Sequence, residues 1–417
     1  MGKTVYLIVD GMGDLPIKNL AKKTPLAYAF KPNLSSMSKN AVFAYPTVLG
    51  KLAPQSDAGV MADLGYDPTK YSTGRGWFEC LGLGMEPRDG DVSIRVNFGE
   101  VNRGLLSSVR VYMSDDELKE LESDINEKVR LPVDFDFRAG EDYRAGLVLR
   151  KGDKEFSQFV SNNEPGYIPK FYPGGRKLSF ASRTLDRRIK PIKAVRSAAG
   201  FTADIMNSFV KQAAKIITAS SVYKRRKKSG LQAPNYVFLR DGAVSDPRLP
   251  DITNLYKRSW CAVTDMPLEK GIATAAGMKV LGVKKLKDVK VDFEEKAEAL
   301  SAALRKFDAV YLHIKQTDAA SHLGRYAEKY AIIESLDKII ISVVRKELNV
   351  DRGDVFVLTC DHCTSCDLRR HINSNIPVFI SGRGLGPSRD FNEESSKNNH
   401  IKNIRKATDI MPFVMKL

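Results

Sequence analysis

The sequence is poor in the residues that staple small or secreted scaffolds. It carries five cysteines and two tryptophans in 417 residues. An odd number of scattered cysteines argues against a disulfide framework and fits a reducing compartment. A chain of this length can bury a large core without covalent or metal staples, so any metal is expected to be functional. No stretch approaches the roughly 18 uncharged apolar residues of a membrane span. Met1-Gly2-Lys3 runs straight into an apolar segment, without the basic start and small-residue cleavage site of a secretory signal. The expectation is a cytoplasmic protein with no membrane contact. GLGM and AAGM are neither a dinucleotide fingerprint nor a Walker A loop, and the missing Walker lysine excludes a P-loop kinase. Internal repeats and extended low-complexity segments are also lacking.

Positive charge is abundant. Lys and Arg number 66 against 50 Asp and Glu, a formal net charge of +16. Such a balance favours anionic partners, and a phosphorylated metabolite qualifies as well as a nucleic acid. The densest basic run, Lys224-Arg225-Arg226-Lys227-Lys228, has a single aromatic beside it and reads as a solvated loop or helix end. No nucleic-acid partner is expected, and nothing in the pattern assigns an oligomeric state.

Short apolar runs ending in polar residues recur along the chain. TVYLIVDGMGD opens the sequence, and FDAVYLHIKQTD, DVFVLTCDHC and IPVFISG repeat the pattern. Each reads as a strand buried on both faces. Between them, Ile332, Ile333, Leu336, Ile339 and Ile340 follow the 3.6-residue period of an amphipathic helix. Strand, helix, strand in this order implies an α/β fold with a mostly parallel sheet and right-handed crossovers. The middle of the chain differs. GDVSIRVNF alternates like a half-exposed strand, a Pro/Gly-rich stretch follows, and a helix is expected over about 197–218. Residues 92–237 therefore read as an inserted α+β domain, with 1–91 and 238–417 forming the core domain.

Titratable residues gather just after the strands, where open α/β sheets place their sites. Asp10 follows the first, Asp318 and His322 form D-x-x-x-H after the second, and Asp361-His362 follow the third with His371 nine residues on. Mixed imidazole and carboxylate donors suit zinc or manganese rather than an oxygen-only calcium site. Asp10, Asp361 and His362 could hold one divalent ion and Asp318, His322 and His371 another, with Ser56 as attacker or bridge. Paired ions of this kind activate a hydroxyl and neutralise phosphoryl oxygens in an in-line displacement. Arg75 and Arg240, beside apolar stretches, suit contact with phosphate or carboxylate, or structural ion pairs. His313 and the neighbouring Lys315 read as substrate contacts, or His313 as a satisfied core histidine. Cys363 and Cys366 form a C-x-x-C inside the same loop, where oxidation would inactivate the site.

These stretches carry a resemblance. LIVDGMGD with Asp10, KTPLAYAFKPNL, QSDAGVMADLGYDP with Ser56 and Asp57, YSTGRGWFECLGLGM, GDVSIRVNF, HIKQTDAASHLG and CDHCTSCDLRRH run in the order found in one family. The chain resembles the archaeal-type cofactor-independent phosphoglycerate mutases of the alkaline-phosphatase superfamily. The resemblance implies an alkaline-phosphatase-like core with an inserted cap. It also implies interconversion of 3-phosphoglycerate and 2-phosphoglycerate, a small phosphorylated acid, without bisphosphoglycerate. Ser56 falls at the nucleophile position and Asp10, Ser56, Asp318, His322, Asp361, His362 and His371 at the metal positions. Two divalent ions are implied, Mn2+ first, with Co2+, Zn2+ or Mg2+ as alternatives. Asp57, Arg75, Arg240, His313 and Lys315 are the candidate substrate contacts. The chain departs from the family at Ser321, at Leu323-Gly324-Arg325, at Cys363 and at Asn373-Ser374-Asn375. Two rivals stand beside this expectation: a related phosphohydrolase or phosphotransferase acting on another small phosphorylated metabolite, and a basic binding paralogue whose chemistry has lapsed.

Overall fold

The computed structural model describes residues 2–182 and 186–417. The chain divides into two compact units, Met1–Pro68 with Leu249–Leu417, and Thr69–Arg248.

The discontinuous unit is built on a seven-stranded sheet. Its spatial order is Lys279–Gly282, Trp260–Thr264, Ala309–Ile314, Thr4–Val9, Val355–Thr359, Val378–Ser381 and Ala41–Ala44. The first five run parallel. Thr4–Val9, Ala309–Ile314 and Val355–Thr359 are buried along their whole length, which is why they read as unbroken apolar runs rather than alternating ones. One strand departs from the parallel reading: Val378–Ser381 runs antiparallel to Val355–Thr359. The link between them holds no crossover helix. It carries the small ribbon Cys363–Ser365 against Arg370–Ile372, so the chain returns along the sheet in the opposite sense.

The periodic helical segment is helical, with a π turn over Asp337–Ile341 between Tyr326–Leu336 and Ser342–Glu347. The wider turn rotates the apolar face, so Ile340 and Ile341 are buried while Ile339 is only half-buried. It also turns the Asp337 carboxylate towards the start of the helix Pro32–Met37, where it accepts from the backbone N–H of Asn33 and Leu34.

The unit Thr69–Arg248 is α+β. Its antiparallel sheet is centred on Val92–Asn102, flanked by Arg144–Leu149 on one edge and Tyr236–Ala243 on the other. The helices Asp115–Lys128 and Gly200–Ala219 contribute Leu118, Leu121, Ile125, Phe209, Ala213 and Ile217 to the core beneath it. The boundaries differ from 92 and 237 for a physical reason. The helix Arg75–Gly82 packs on the central strand, and the strand beginning at Tyr236 continues to Ala243 along the same sheet. That helix also explains why GDVSIRVNF is not half-exposed. Ser93, Arg95 and Asn97 are buried as deeply as Val92, Ile94 and Val96, and Arg95 reaches Glu79 of the helix at 3.1 Å. The basic run lies on the helix Ser221–Lys228. Arg225, Arg226 and Lys227 pair with Glu120, Glu117 and Glu100 at 2.6, 2.8 and 3.2 Å.

Among the described residues no helix is long and apolar enough to cross a membrane. All five cysteines are free and buried.

One buried ion-pair set in the first unit is Lys296, fully buried, with Nζ 3.1 Å from Asp265 and 2.7 Å from Asp292. Removing one partner of such a group strands the other charges. Lys296→Met is expected to lower stability by about 3–5 kcal/mol in denaturant titration. Lys227→Ala, which breaks an exposed pair, should change it by less than about 1 kcal/mol.

Candidate metal centre

The parallel register decides where the chemistry collects. Ile8 pairs with His313 and with Thr359, and Val9 pairs with Ile314. Asp10, Lys315 and Asp361 therefore leave three adjacent strands at nearly the same height. The helix Gln316–His322 then carries Asp318 and His322 one turn apart on one face. The turn after Asp10 is sharp: Gly11 has φ +62°, and a Cβ there would lie 2.6 Å from Thr364 Oγ1.

Ser56 begins the helix Ser56–Asp63 and is 4% exposed. Its Oγ is 3.4 Å from His362 Nε2. The helix reaches this position because Gly59 has no side chain: a Cβ there would lie 2.2 Å from the carbonyl oxygen of Asp361. Ser56 thus sits at the positive end of a helix packed directly on the Asp361 backbone, a place that favours an anion. Asp57 is buried in the same first turn.

The carboxylates crowd together. Lys315 Nζ lies 2.5 Å from Asp10 Oδ2 and 2.7 Å from Asp318 Oδ2, and so bridges two of them. Burial opposes ionisation of both, but the Lys315 ammonium overcomes it and holds each carboxyl below the usual range, helped at Asp10 by His362 and at Asp318 by His322. Asp361 moves the other way. Burial and then the nearby Asp10 charge raise it well above the ordinary carboxylate value. One ammonium cannot satisfy three buried carboxylates, so the centre is short of positive charge.

The three histidines are oriented as ligands. His371 Nδ1 lies 2.9 Å from the carbonyl of Pro54 and His322 Nδ1 lies 3.0 Å from that of Arg369. A carbonyl only accepts, so both rings carry their proton on Nδ1. Thr364 Oγ1 donates to Asp318 Oδ1 at 2.8 Å, which leaves it to accept from His362 Nδ1 at 3.0 Å. All three Nε2 lone pairs consequently face the carboxylates, at 3.2 Å (His362 to Asp10), 3.4 Å (His322 to Asp318) and 3.5 Å (His371 to Asp318). Fixing a tautomer through the outer nitrogen is how proteins prepare imidazole for a metal.

Two of the three ligand sets found consist of metal candidates named from the sequence, each with atoms within 4.8 Å of one another: Asp10, Asp361 and His362, and Asp318, His362 and His371; the third is Asp10, Glu269 and His313. The first is the grouping expected from the sequence. The second substitutes His362 for His322, because His362 and His371 stack at 3.7 Å while His322 lies farther out, 5.2 Å from His371 between ring centroids. The donors are imidazole nitrogen and carboxylate oxygen, a combination that fits divalent Mn, Co or Zn.

Arg75 and Arg240 belong to the second unit and are both paired there, Arg75 with Glu79 at 2.8 Å and Arg240 with Glu164 and Asp241 at 3.5 and 3.2 Å. The Arg240 guanidinium also lies over the ring of Tyr167 at 3.8 Å. His313 is fully buried, so its ring offers no face to substrate, and burial first of all pushes it down to about 4. Its Nε2 lies 3.7 Å from Asp10 and 3.6 Å from Glu269. Glu269 and Thr364 escaped the sequence reading as functional groups. Glu269 stands in the first turn of the helix Pro267–Ala275, just after the strand Trp260–Thr264. The strand-end rule that found Asp10 would have found it too.

Comparison with known proteins agrees with this architecture. Residues 38–223 match the family described as 2,3-bisphosphoglycerate-independent phosphoglycerate mutase. A protein of that name from Pyrococcus furiosus is 33% identical over 100% of this chain and 97% of its own length. One from Saccharolobus islandicus is 32% identical over 96% of this chain and 94% of its own. Among solved structures, the PH0037 protein from Pyrococcus horikoshii superposes with a TM-score of 0.78 at 24% identity, covering 100% of this chain and 97% of its own. The relatives span the chain from end to end and so take in both the strand-end carboxylates and the Ser56 helix. On that full-length similarity, the chain belongs to the 2,3-bisphosphoglycerate-independent phosphoglycerate mutase family.

Proposed function

We propose that this protein interconverts 3-phosphoglycerate and 2-phosphoglycerate, with Ser56 as nucleophile and with Asp10, Ser56, Asp318, His322, Asp361, His362 and His371 holding two divalent ions. The observation that carries the reading is the convergence of three tautomer-fixed imidazoles and three buried carboxylates on a serine at a helix start. The ions, when bound, would favour the Ser56 alkoxide and neutralise phosphoryl oxygens. Mn2+ is the expected metal.

Ser56 Oγ attacks phosphorus in line, and the bond from phosphorus to the substrate oxygen breaks as the new one forms. The proton lost from Ser56 is matched by one gained on the departing glycerate oxygen. Glycerate then presents its other hydroxyl, the second transfer reverses these steps, and Ser56 regains its proton. Lys315, held between Asp10 and Asp318, is proposed to donate to a phosphoryl oxygen. Arg75 and Arg240 are proposed contacts for the substrate's anionic groups, and Asp57 for a glycerate hydroxyl. The second unit, Thr69–Arg248, is proposed as the cap, since water reaching the phosphoserine would hydrolyse it. A cytoplasmic location belongs to the same reading, because free cysteines fit a reducing compartment.

Phosphorus NMR of the chelator-stripped protein, reloaded with Mn2+ and given 3-phosphoglycerate alone, is expected to show 2-phosphoglycerate. Ser56→Ala should lower that rate by at least about 10³-fold. Steady release of free phosphate from wild type would replace the mutase with a phosphohydrolase. No turnover of either phosphoglycerate would sink the proposal.

Lys315→Met removes the ammonium shared by Asp10 and Asp318. Without metal the variant should be less stable than wild type by about 3–5 kcal/mol, and excess Mn2+ should close most of that gap. Equal melting of the two metal-free proteins would refute the bridging role of Lys315.

A further inference from the structure

A cleft of about 320 Å3 opens within the first unit, lined by Tyr45, Asn375, His400, Lys402, Ile404 and Arg405. None of these residues belongs to the proposed metal centre. The frame of the cleft is pinned at both ends. The segment after the helix Glu393–Asn398 runs beside the end of the edge strand Ala41–Ala44. The Ile401 N–H donates to the Phe43 carbonyl at 2.8 Å, the Thr47 N–H to that of Arg405 at 3.0 Å, and the Ala407 N–H to that of Thr47 at 2.9 Å. Between these anchors Ile404 is buried, while His400, Lys402 and Arg405 stay exposed. Asn375 is held by its Nδ2, which donates to the Tyr45 carbonyl at 2.7 Å. It belongs to Asn373-Ser374-Asn375, one of the places where the chain departs from its family.

The lining contains two obligate cations and no carboxylate. Among the described residues neither Lys402 nor Arg405 has an ion-pair partner. Asp409, the nearest acid along the chain to Arg405, uses Oδ2 to accept from the backbone N–H groups of Arg405 and Lys406. The basic run on the helix Ser221–Lys228 behaves differently, since Arg225, Arg226 and Lys227 are matched by glutamates. We propose that this cleft is a second anion site, taking the dianion of a small phosphate monoester. Lys402 and Arg405 would hold the phosphate. His400 has its Nδ1 at 2.8 Å from the Lys397 carbonyl, which sets the ring and leaves Nε2 for a ligand. The Tyr45 ring and Ile404 offer apolar surface to the organic part of the ester, and the volume lies at the small end of the roughly 300–1,000 Å3 of metabolite sites. A bound ester would touch the loop of the metal centre without touching a ligand: the Asn375 carbonyl accepts from Cys363 Sγ at 3.4 Å, next to His362, and the same ribbon pairs Thr364 with His371. The inference needs neither the metals nor the mutase activity.

The test is calorimetric titration of the chelator-stripped full chain, with inorganic phosphate and with phenyl phosphate as probes. Without metal the catalytic centre is locally negative and does not compete for them. One equivalent of phenyl phosphate should bind per chain, at least about 5-fold more tightly than inorganic phosphate because of its ring. Lys402→Ala and Arg405→Ala should each weaken binding of both probes by at least about 10-fold. Both side chains are exposed, and a far-ultraviolet spectrum checks that the variants fold. Lys224→Ala, which removes an equal charge elsewhere, should bind as wild type, and so should Ser56→Ala and Arg75→Ala. Wild-type affinity in both cleft variants, or an equal loss in Lys224→Ala, would overturn the site. Equal affinity for the two probes would overturn the ester in favour of free phosphate.

Discussion

Three buried carboxylates gathered at the carboxyl ends of neighbouring strands, two just past a strand and one in the helix that follows, with the Lys315 ammonium among them, are the constraint around which the first unit is arranged. Asp10, Asp318 and Asp361 sit where low dielectric makes each charge expensive. Lys315 settles two of the three, and Asp361 is pushed towards its neutral form. A core built for stability alone would not gather acids this way. A folded protein keeps such a cluster when a cation that binds there stabilises the folded state.

Packing around the cluster keeps it from relaxing. Lys329 is fully buried and donates to Asp14 and to the carbonyls of Gly13 and Thr364. It thereby ties the loop after Asp10 to the loop after Asp361. Asp14 in turn accepts from the Cys366 backbone N–H. Gly59 lets the Ser56 helix rest on the Asp361 carbonyl, so Ser56 and Asp361 are fixed by the same contact. The histidines are fixed from outside, through Pro54, Thr364 and Arg369. Orientation is built into the scaffold before any ion arrives, which is what a precise transfer geometry requires.

Much of this was legible because parallel sheets are simple. Fully buried strands write themselves as apolar runs, and their carboxyl ends are where polar residues begin, so Asp10, Asp318, Asp361 and His362 could be read together. Less could be read where two elements supply one environment. The direction of Val378–Ser381 depends on the lack of a crossover helix in a stretch rich in Cys, Asp and Arg, and no periodicity records that. The burial of Arg95 and Asn97 depends on a helix fifteen to twenty residues earlier. Glu269 looked like an ordinary first-turn acid, favourable at any helix start, and its closeness to His313 and Asp10 is set by the packing of separate elements. The exchange of His322 for His362 in one ligand set likewise follows from ring stacking, which no spacing rule contains.

The net charge of +16 suggests a basic binding surface, but much of the densest run is engaged with Glu100, Glu117 and Glu120. That pairing weakens the case for a polyanion-binding paralogue. The proposed site is locally the opposite: without metal, with Asp10 and Asp318 ionised, Asp361 held towards its neutral form and Lys315 protonated, its formal charge is −1, and it would repel a phosphate ester. Two divalent ions, with Asp361 then ionised as a ligand, would bring it to +2, which matches a phosphoryl dianion. The metals on this reading do more than activate Ser56. They decide whether the site attracts its substrate at all, and the long-range positive field of the chain can steer an anion inward only when the local sign agrees with it.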